Sequence, residues 1–158
     1  MGDRKAVIRE HMQTRHAKSW PMLAALKPED GDRLVYDAPE PWTVHGVLAH
    51  LADAERGLLG QVQRLVAGHQ TVPEDFDIAR WNRSAVRRGS EKSIQELLQA
   101  IQEAYDDALA FLEDLDEEAL DLHGRSSPGE IWTLEYFLRR SATHRVEHAA
   151  DIQKALAG

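Results

Sequence analysis

Between Thr43 and Ala67 the apolar residues Val44, Val47, Leu48, Leu51, Leu58, Leu59, Val62 and Leu65 recur at intervals of three and four. On a helix of about 3.6 residues per turn that spacing makes one apolar stripe, and it does not fit the alternation of a half-buried strand. The pattern returns in three other segments. Val7, Ile8, Met12, Trp20, Leu23 and Leu26 mark a first helix from about Arg4 to Leu26, with a kink expected at Pro21. Ile94, Leu97, Leu98, Ile101, Tyr105, Ala108, Leu109 and Leu112 mark a third, opened by Ser93 and Glu96 at capping-box spacing. A last helix starts at Thr133 and runs to about Leu156. Thr43 is read as the N-cap of the second helix, and Gly68 as its stop.

No strand pattern competes, so the expected fold is all-α: a four-helix bundle of antiparallel helices. Its 158 residues suit one domain spanning 1–158. The connectors are long. "KPEDGDRLVYDAPEPW" and "HGRSSPGE" read as loops, and "DLDEEALD" as a turn of helix with a fraying end. The least regular stretch, His69 to Ser93, holds a short helix between Pro73 and Gly89. Connectors of this length permit a topology other than simple up-down-up-down. "PWTVHGVLAHL" and "IWTLEYFLRRS" echo one another, each with Trp just before a Thr cap. A hydrophobic staple before each cap accounts for the echo. A sharper reading has two similar helices facing each other, with their starts near one end of the bundle.

Composition excludes several classes. There is no cysteine, hence no disulfide, thiolate ligand or cysteine nucleophile. No apolar run approaches a membrane span. "MGDRKAVIRE" lacks the apolar core of a signal peptide. Gly2 lacks the Ser or Thr of a myristoylation site and is read as a cloning remnant. The expected location is the cytoplasm. A formal net charge of -8 argues against a broad nucleic-acid-binding face. The local basic run "RWNRSAVRR" reads either as an anion- or thiol-binding turn or as a solvated one.

The chemistry is carried by histidine. His11, His16, His45, His69 and His123 fall at exposed or loop-like positions and read as surface residues. His50, in "VLAHLAD", lies in an apolar part of the second helix, and "THRVEHAAD" puts His144 and His148 on one face of the fourth. Spacing alone leaves two readings of that pair open: a metal site, or two histidines that share a face. Glu147 precedes the second histidine, not the first, so the zincin protease motif is absent. Three neutral imidazoles from two facing helices would leave coordination positions open, as at a catalytic zinc. Zn, Ni and Fe suit such a site equally. Asp53 and Asp151 stand three residues past His50 and His148 and read either as acceptors of the second N–H of a ligating ring or as solvated acidic residues. Arg140, one turn before His144, either meets an anionic substrate or pairs with a carboxylate. Glu147 is either a base or half of an outward salt bridge. Protonation competes with metal, so occupancy is expected to fall near the ordinary imidazole pKa of about 6.5.

"PWTVHGVLAHLADAE", "FDIARWNRSAVRRGSEKSIQELLQAI" and "TLEYFLRRSATHRVEHAADIQ" resemble, in that order and over nearly the whole chain, the DinB-like superfamily (DinB/YfiT-like proteins). The resemblance implies a four-helix bundle with long crossover connections. It also implies a divalent metal ion held by one histidine of the second helix and two of the last. Carried over residue by residue, these are His50, His144 and His148. Many members have Gln before Ile after the last ligand, whereas this chain has Asp151-Ile152. By resemblance the expected activity is transfer of a low-molecular-weight thiol to a small-molecule electrophile, or metal-dependent hydrolysis, in a homodimer. The alternatives are a non-catalytic metal-binding or stress-associated bundle, and an interaction module whose histidines never hold metal.

Overall fold

Each long helix begins at a side chain that satisfies its free N–H groups. In the computed structural model, which describes residues 3–158, Asp3 caps α1 (Arg4–Ala24), Thr43 caps α2 (Val44–Val66), and Thr133 caps α5 (Leu134–Ala157). Ser93 and Glu96 close a full capping box on α4 (Ile94–Asp114). Gly2 lies outside the described residues. α1 continues past Pro21, and α2 ends before Gly68, whose φ of 78° is a conformation glycine adopts freely. Val7 was expected inward, yet it is 55% exposed while its neighbour Ile8 is fully buried. Adjacent helical residues point about 100° apart, and the buried face of α1 takes Ile8 and leaves Val7 outside it. The short helix expected between Pro73 and Gly89 is α3 (Ile78–Arg88), capped by Asp77, and it takes in "RWNRSAVRR", so that run is helix where the alternative was a turn.

Two short hairpins correct the strand-free expectation. β1 (Leu34–Tyr36) pairs antiparallel with β2 (Trp42–Thr43), and β3 (His123–Arg125) with β4 (Ile131–Thr133). Strands of two or three residues are too short for alternation to register in a sequence. They still pair, because connectors laid over a core must satisfy their backbone groups. The Trp-Thr echo thus extends further than a staple. Helix, 3₁₀ turn (Pro28–Asp30), hairpin, α2 is followed later by helix, 3₁₀ turn (Glu117–Asp121), hairpin, α5.

The helices form a bundle in which α1 lies diagonal to α2, and α4 to α5. α1 packs on α5, α2 on α4 and α5, and α1 on α4. Side-chain bonds set the directions. Arg4 meets Glu135 and Arg145 meets His16, so α1 and α5 run the same way. Lys5 reaches the Leu115 carbonyl while His16 stacks on Tyr105, so α1 and α4 run opposite ways. His50 faces His144 while Gln61 reaches Ser127, just ahead of α5, so α2 opposes α5. The order is up-down-down-up, not antiparallel at every step. It follows that α2 and α5 face each other with their starts at opposite ends, contrary to the sharper reading of the echo. The return between α2 and α4 is made by α3, which climbs back along α2. Trp81 bonds Asp53 near its start, and Gly89 lies against Ala49 at its end.

That last approach is close. A Cβ on Gly89 would sit 2.6 Å from the Ala49 Cβ, beside His50. Gly89→Ala is expected to destabilise by about 1–3 kcal/mol through overpacking, read as a lowered urea midpoint. An unchanged midpoint would show that α3 is free to move away.

The core has two apolar halves. Ile8, Met12, Leu59, Leu112, Leu134 and Phe137 belong to one, and Leu23, Val47, Leu51, Leu97, Ile101 and Ile152 to the other. Polar residues at the waist lie between them, and the candidate site belongs to that level.

Candidate metal centre

Helix geometry brings His144 and His148 to one face of α5, one turn apart, and the antiparallel packing of α2 sets His50 opposite them. Nε2 of His144 lies 3.2 Å from Nε2 of His50 and 3.0 Å from Nε2 of His148. His50 is 6% exposed, and the other two are half-buried. With bonds of about 2.1 Å from each nitrogen to a common cation, these separations correspond to angles of roughly 90–100°. Both are angles between neighbouring ligands on one cation. Hydrogen bonds alone do not account for the arrangement, because one N–H at the His144 Nε2 cannot serve both neighbours fully. The donor set therefore fits a divalent cation.

Burial keeps the imidazoles neutral. It pushes His50 down to about 4, with positive charge on His148 adding to the effect. It pushes His144 down to about 2, helped by His148, His50 and Arg140. His148 is also lowered by burial, though Asp151 and Glu147 oppose this. The histidines of the unfolded chain take up protons first, starting near pH 6.5. Their contribution to stability is therefore complete above about 6.5 and is lost as pH falls from there towards 4. In metal-free protein the unfolding free energy from urea titration is expected to fall steadily between pH 6.5 and 4.5, by at most about 1.4 kcal/mol per pH unit for each buried histidine. A flat profile would mean that the rings are solvated. For the same reason metal occupancy should persist below the pH of about 6.5 expected from unperturbed imidazoles.

Around the rings, Trp42 packs on His50 with centroids 5.1 Å apart. The Tyr36 hydroxyl is 2.8 Å from His148 Nδ1 and donates to Asp151 Oδ2 at 2.5 Å. His50 Nδ1 is buried and has no partner among the described residues.

A model of the DinB superfamily matches residues 9–152. The chain belongs to the DinB superfamily. No curated protein matches it. Among solved structures, the mycothiol-dependent maleylpyruvate isomerase superposes with a TM-score of 0.80 at 14% identity, covering 95% of this chain and 61% of that one. This DinB-superfamily chain therefore spans less than two thirds of that enzyme. YfiT from Bacillus subtilis, described as a probable metal-dependent hydrolase with an unusual four-helix bundle topology, gives 0.74 at 20% identity, covering 98% and 88%. The colibactin self-resistance protein ClbS, solved with a double-stranded DNA, gives 0.77 at 14% identity, covering 96% and 94%. At these identities the likeness shows the fold.

Within this DinB-superfamily fold, the residues expected around the histidines are placed differently. Asp53 does not reach His50: its carboxylate accepts from Trp81 Nε1 at 2.8 Å and from Arg88 at 3.0 Å. Three residues along a helix turn the side chain by about 300°, which aims Asp53 at α3. Asp151 reaches His148 only through Tyr36. Arg140 pairs with Glu147 at 2.7 Å, the outward salt bridge among the readings of both residues. His16 is not a free surface residue, since it stacks between Trp20 and Tyr105 and accepts from Arg145. His11 and His45 meet backbone carbonyls, of Arg139 and Lys92. Tyr36 escaped the sequence reading because the connector that carries it has no periodicity. Trp42 was visible, but only as part of the echo.

Proposed function

We propose that this protein is a divalent-metal-dependent enzyme, with His50, His144 and His148 as the ligands. The observation that carries the reading is the convergence of three Nε2 atoms with separations of 3.0 and 3.2 Å along its two bonded edges. A divalent cation there supplies Lewis acidity that deprotonates a coordinated low-molecular-weight thiol or water at neutral pH. The chain's own residues hold the rings neutral, shield His50 beneath Trp42, and leave the half-buried His144 and His148 edge open to a small-molecule substrate. Arg140 sits at that edge, paired with Glu147, where an anionic substrate group competes with the carboxylate. With no cysteine in the chain, a thiol cosubstrate comes from outside. The two enzyme likenesses, one mycothiol-dependent and one a probable metal-dependent hydrolase, favour thiol transfer and hydrolysis as the reactions to test.

The metal is zinc, nickel or iron, which the donor set does not separate. We place the protein in the cytoplasm as a homodimer, with the exposed apolar residues Leu122, Ile131 and Tyr136 about the β3–β4 hairpin as the outer surface for pairing. Among the described residues no helix is long and apolar enough to cross a membrane. The test is elemental analysis of purified protein, then turnover assays with several thiols, electrophiles and hydrolysable esters. No divalent metal after reconstitution would end the reading. Metal without turnover would favour the alternative of a non-catalytic metal-binding or stress-associated bundle, for which the closed Arg140–Glu147 pair speaks. The DNA bound to ClbS draws attention to Arg80, Arg83, Arg87 and Arg88 beside the exposed Trp81 on α3. The net charge of -8 weighs towards a small substrate, and a band-shift at physiological salt decides between them.

A further inference from the structure

We propose that Tyr36 is a positioning residue for this centre: held by Asp151, its hydroxyl keeps His148 in the Nδ1–H tautomer and leaves the Nε2 lone pair free to ligate. The inference rests on the metal reading above and adds a residue from outside the bundle helices. The Tyr36 hydroxyl has one proton and two neighbours, Asp151 Oδ2 at 2.5 Å and His148 Nδ1 at 2.8 Å. A carboxylate only accepts, so the phenol proton points to Asp151. What the oxygen then offers His148 is a lone pair, and a bond at 2.8 Å requires the proton on Nδ1. Nε2 is left bare, and it is the atom that faces His144 Nε2 at 3.0 Å.

The tautomer of His50 is not set in this way, because its Nδ1 has no partner among the described residues. Of these two rings His148 is the one whose tautomer is imposed, and a connector imposes it. Tyr36 ends β1, and its ring packs edge-on against His148, with centroids 5.8 Å apart, and against Trp42 at 6.3 Å. Trp42 in turn covers His50. The β1–β2 hairpin therefore braces ligands on both helices, and Tyr36 does so by a directional bond. Asp151 completes the relay from the surface of α5, three residues past His148.

Tyr36→Phe keeps the ring and removes the acceptor for Nδ1–H. A free neutral imidazole prefers its proton on Nε2, so the metal must displace it. Zinc affinity is expected to fall about 10–100-fold, as when the partner of a ligating histidine is lost. Asp151→Ala releases the phenol proton, which turns to His148 Nδ1 and forces the proton onto Nε2; a similar loss is expected. Asp151→Asn keeps an accepting oxygen and should lose less than Asp151→Ala.

Two measurements on the full chain decide the matter. The first is the tautomer of His148 in metal-free protein, from long-range proton–nitrogen correlation of its ring. The second is calorimetric titration with zinc chloride alone for wild type, Tyr36→Phe, Asp151→Ala and Asp151→Asn, each checked for an unchanged circular dichroism melt. Nδ1–H in the wild type, with the stated order of affinities, supports the relay. Nε2–H in the metal-free wild type overturns it whether or not zinc binds. Failure of the wild type to bind zinc, and nickel and ferrous iron in the same titration, overturns the metal reading itself, and is told apart because the tautomer is read without metal.

Discussion

Replacing any one of His50, His144 and His148 with Ala is expected to lower bound divalent metal from about one equivalent per chain to less than about a tenth after dialysis. Two imidazoles remain in each variant, and no carboxylate stands ready as a substitute. Asp53 is held by Trp81 and Arg88, Glu147 by Arg140, and Asp151 by Tyr36. The same variants should lose the stabilisation that metal confers on the folded chain, about 4 kcal/mol at a thousandfold excess over the dissociation constant. The exposed His69 provides the control: His69→Ala should bind metal like the wild type. Elemental analysis gives the stoichiometry, and melting with and without zinc gives the linkage. Full metal content in His148→Ala would remove the site and the proposed function with it.

The second large effect is expected at the waist of the bundle. Arg145 is 2% exposed and Glu55 4%, and they form two bonds, Nε to Oε2 at 2.9 Å and Nη2 to Oε1 at 2.7 Å. Nη1 of the same guanidinium donates to His16, and its plane stands 5.2 Å from the Tyr105 ring centre. Burial pushes the Glu55 carboxyl up, and Arg145 opposes that shift by bonding its charged form. Arg145→Ala leaves a carboxylate buried with no counter-charge, at an expected cost of about 3–5 kcal/mol. For a chain of this size the melting midpoint should fall by about 10 °C. Glu55→Ala should cost a similar amount for the mirror-image reason. The pair Glu55→Leu with Arg145→Met removes both charges and should recover much of the loss, because replacing a whole buried ion pair with apolar side chains is often neutral or better. A single variant within about 1 kcal/mol of wild type would mean that water reaches the pair. The pair also bears on the metal centre. It joins α2 to α5 beside His144 and five residues past His50, so the register of the two helices that carry the ligands depends on it.

Much of this was legible without coordinates, and the legible part is local. The apolar stripe of α2, the caps at Thr43, Ser93 and Thr133, and the stop at Gly68 depend on residues within about one turn of one another. A sequence displays those relations directly. His144 and His148 share a face because four residues make about one turn. His50 was a different kind of knowledge: its apolar setting in the second helix singled it out, and resemblance to a family then matched it to the third ligand position, which no spacing within the chain indicates. The short hairpins were illegible because strands of two or three residues carry no period.

By itself the sequence determined a mainly helical chain with four amphipathic stripes and two histidines on one face of the last helix. Only the tertiary structure decided how those stripes face one another. The up-down-down-up order depends on α3 returning along α2, a choice made by contacts such as Gly89 on Ala49 and Trp81 on Asp53. That choice turned Asp53 away from His50 and towards Arg88. The same packing buried Arg145 and Glu55, charged residues that a pattern reading assigns to the surface. It also laid Tyr36, from an irregular connector, against His148. The physical reason is range: helix formation is decided by neighbours a few residues apart. The partner of a buried charge or the tautomer of a ring is decided by atoms about a hundred residues away in sequence, such as the 112 positions between Tyr36 and His148.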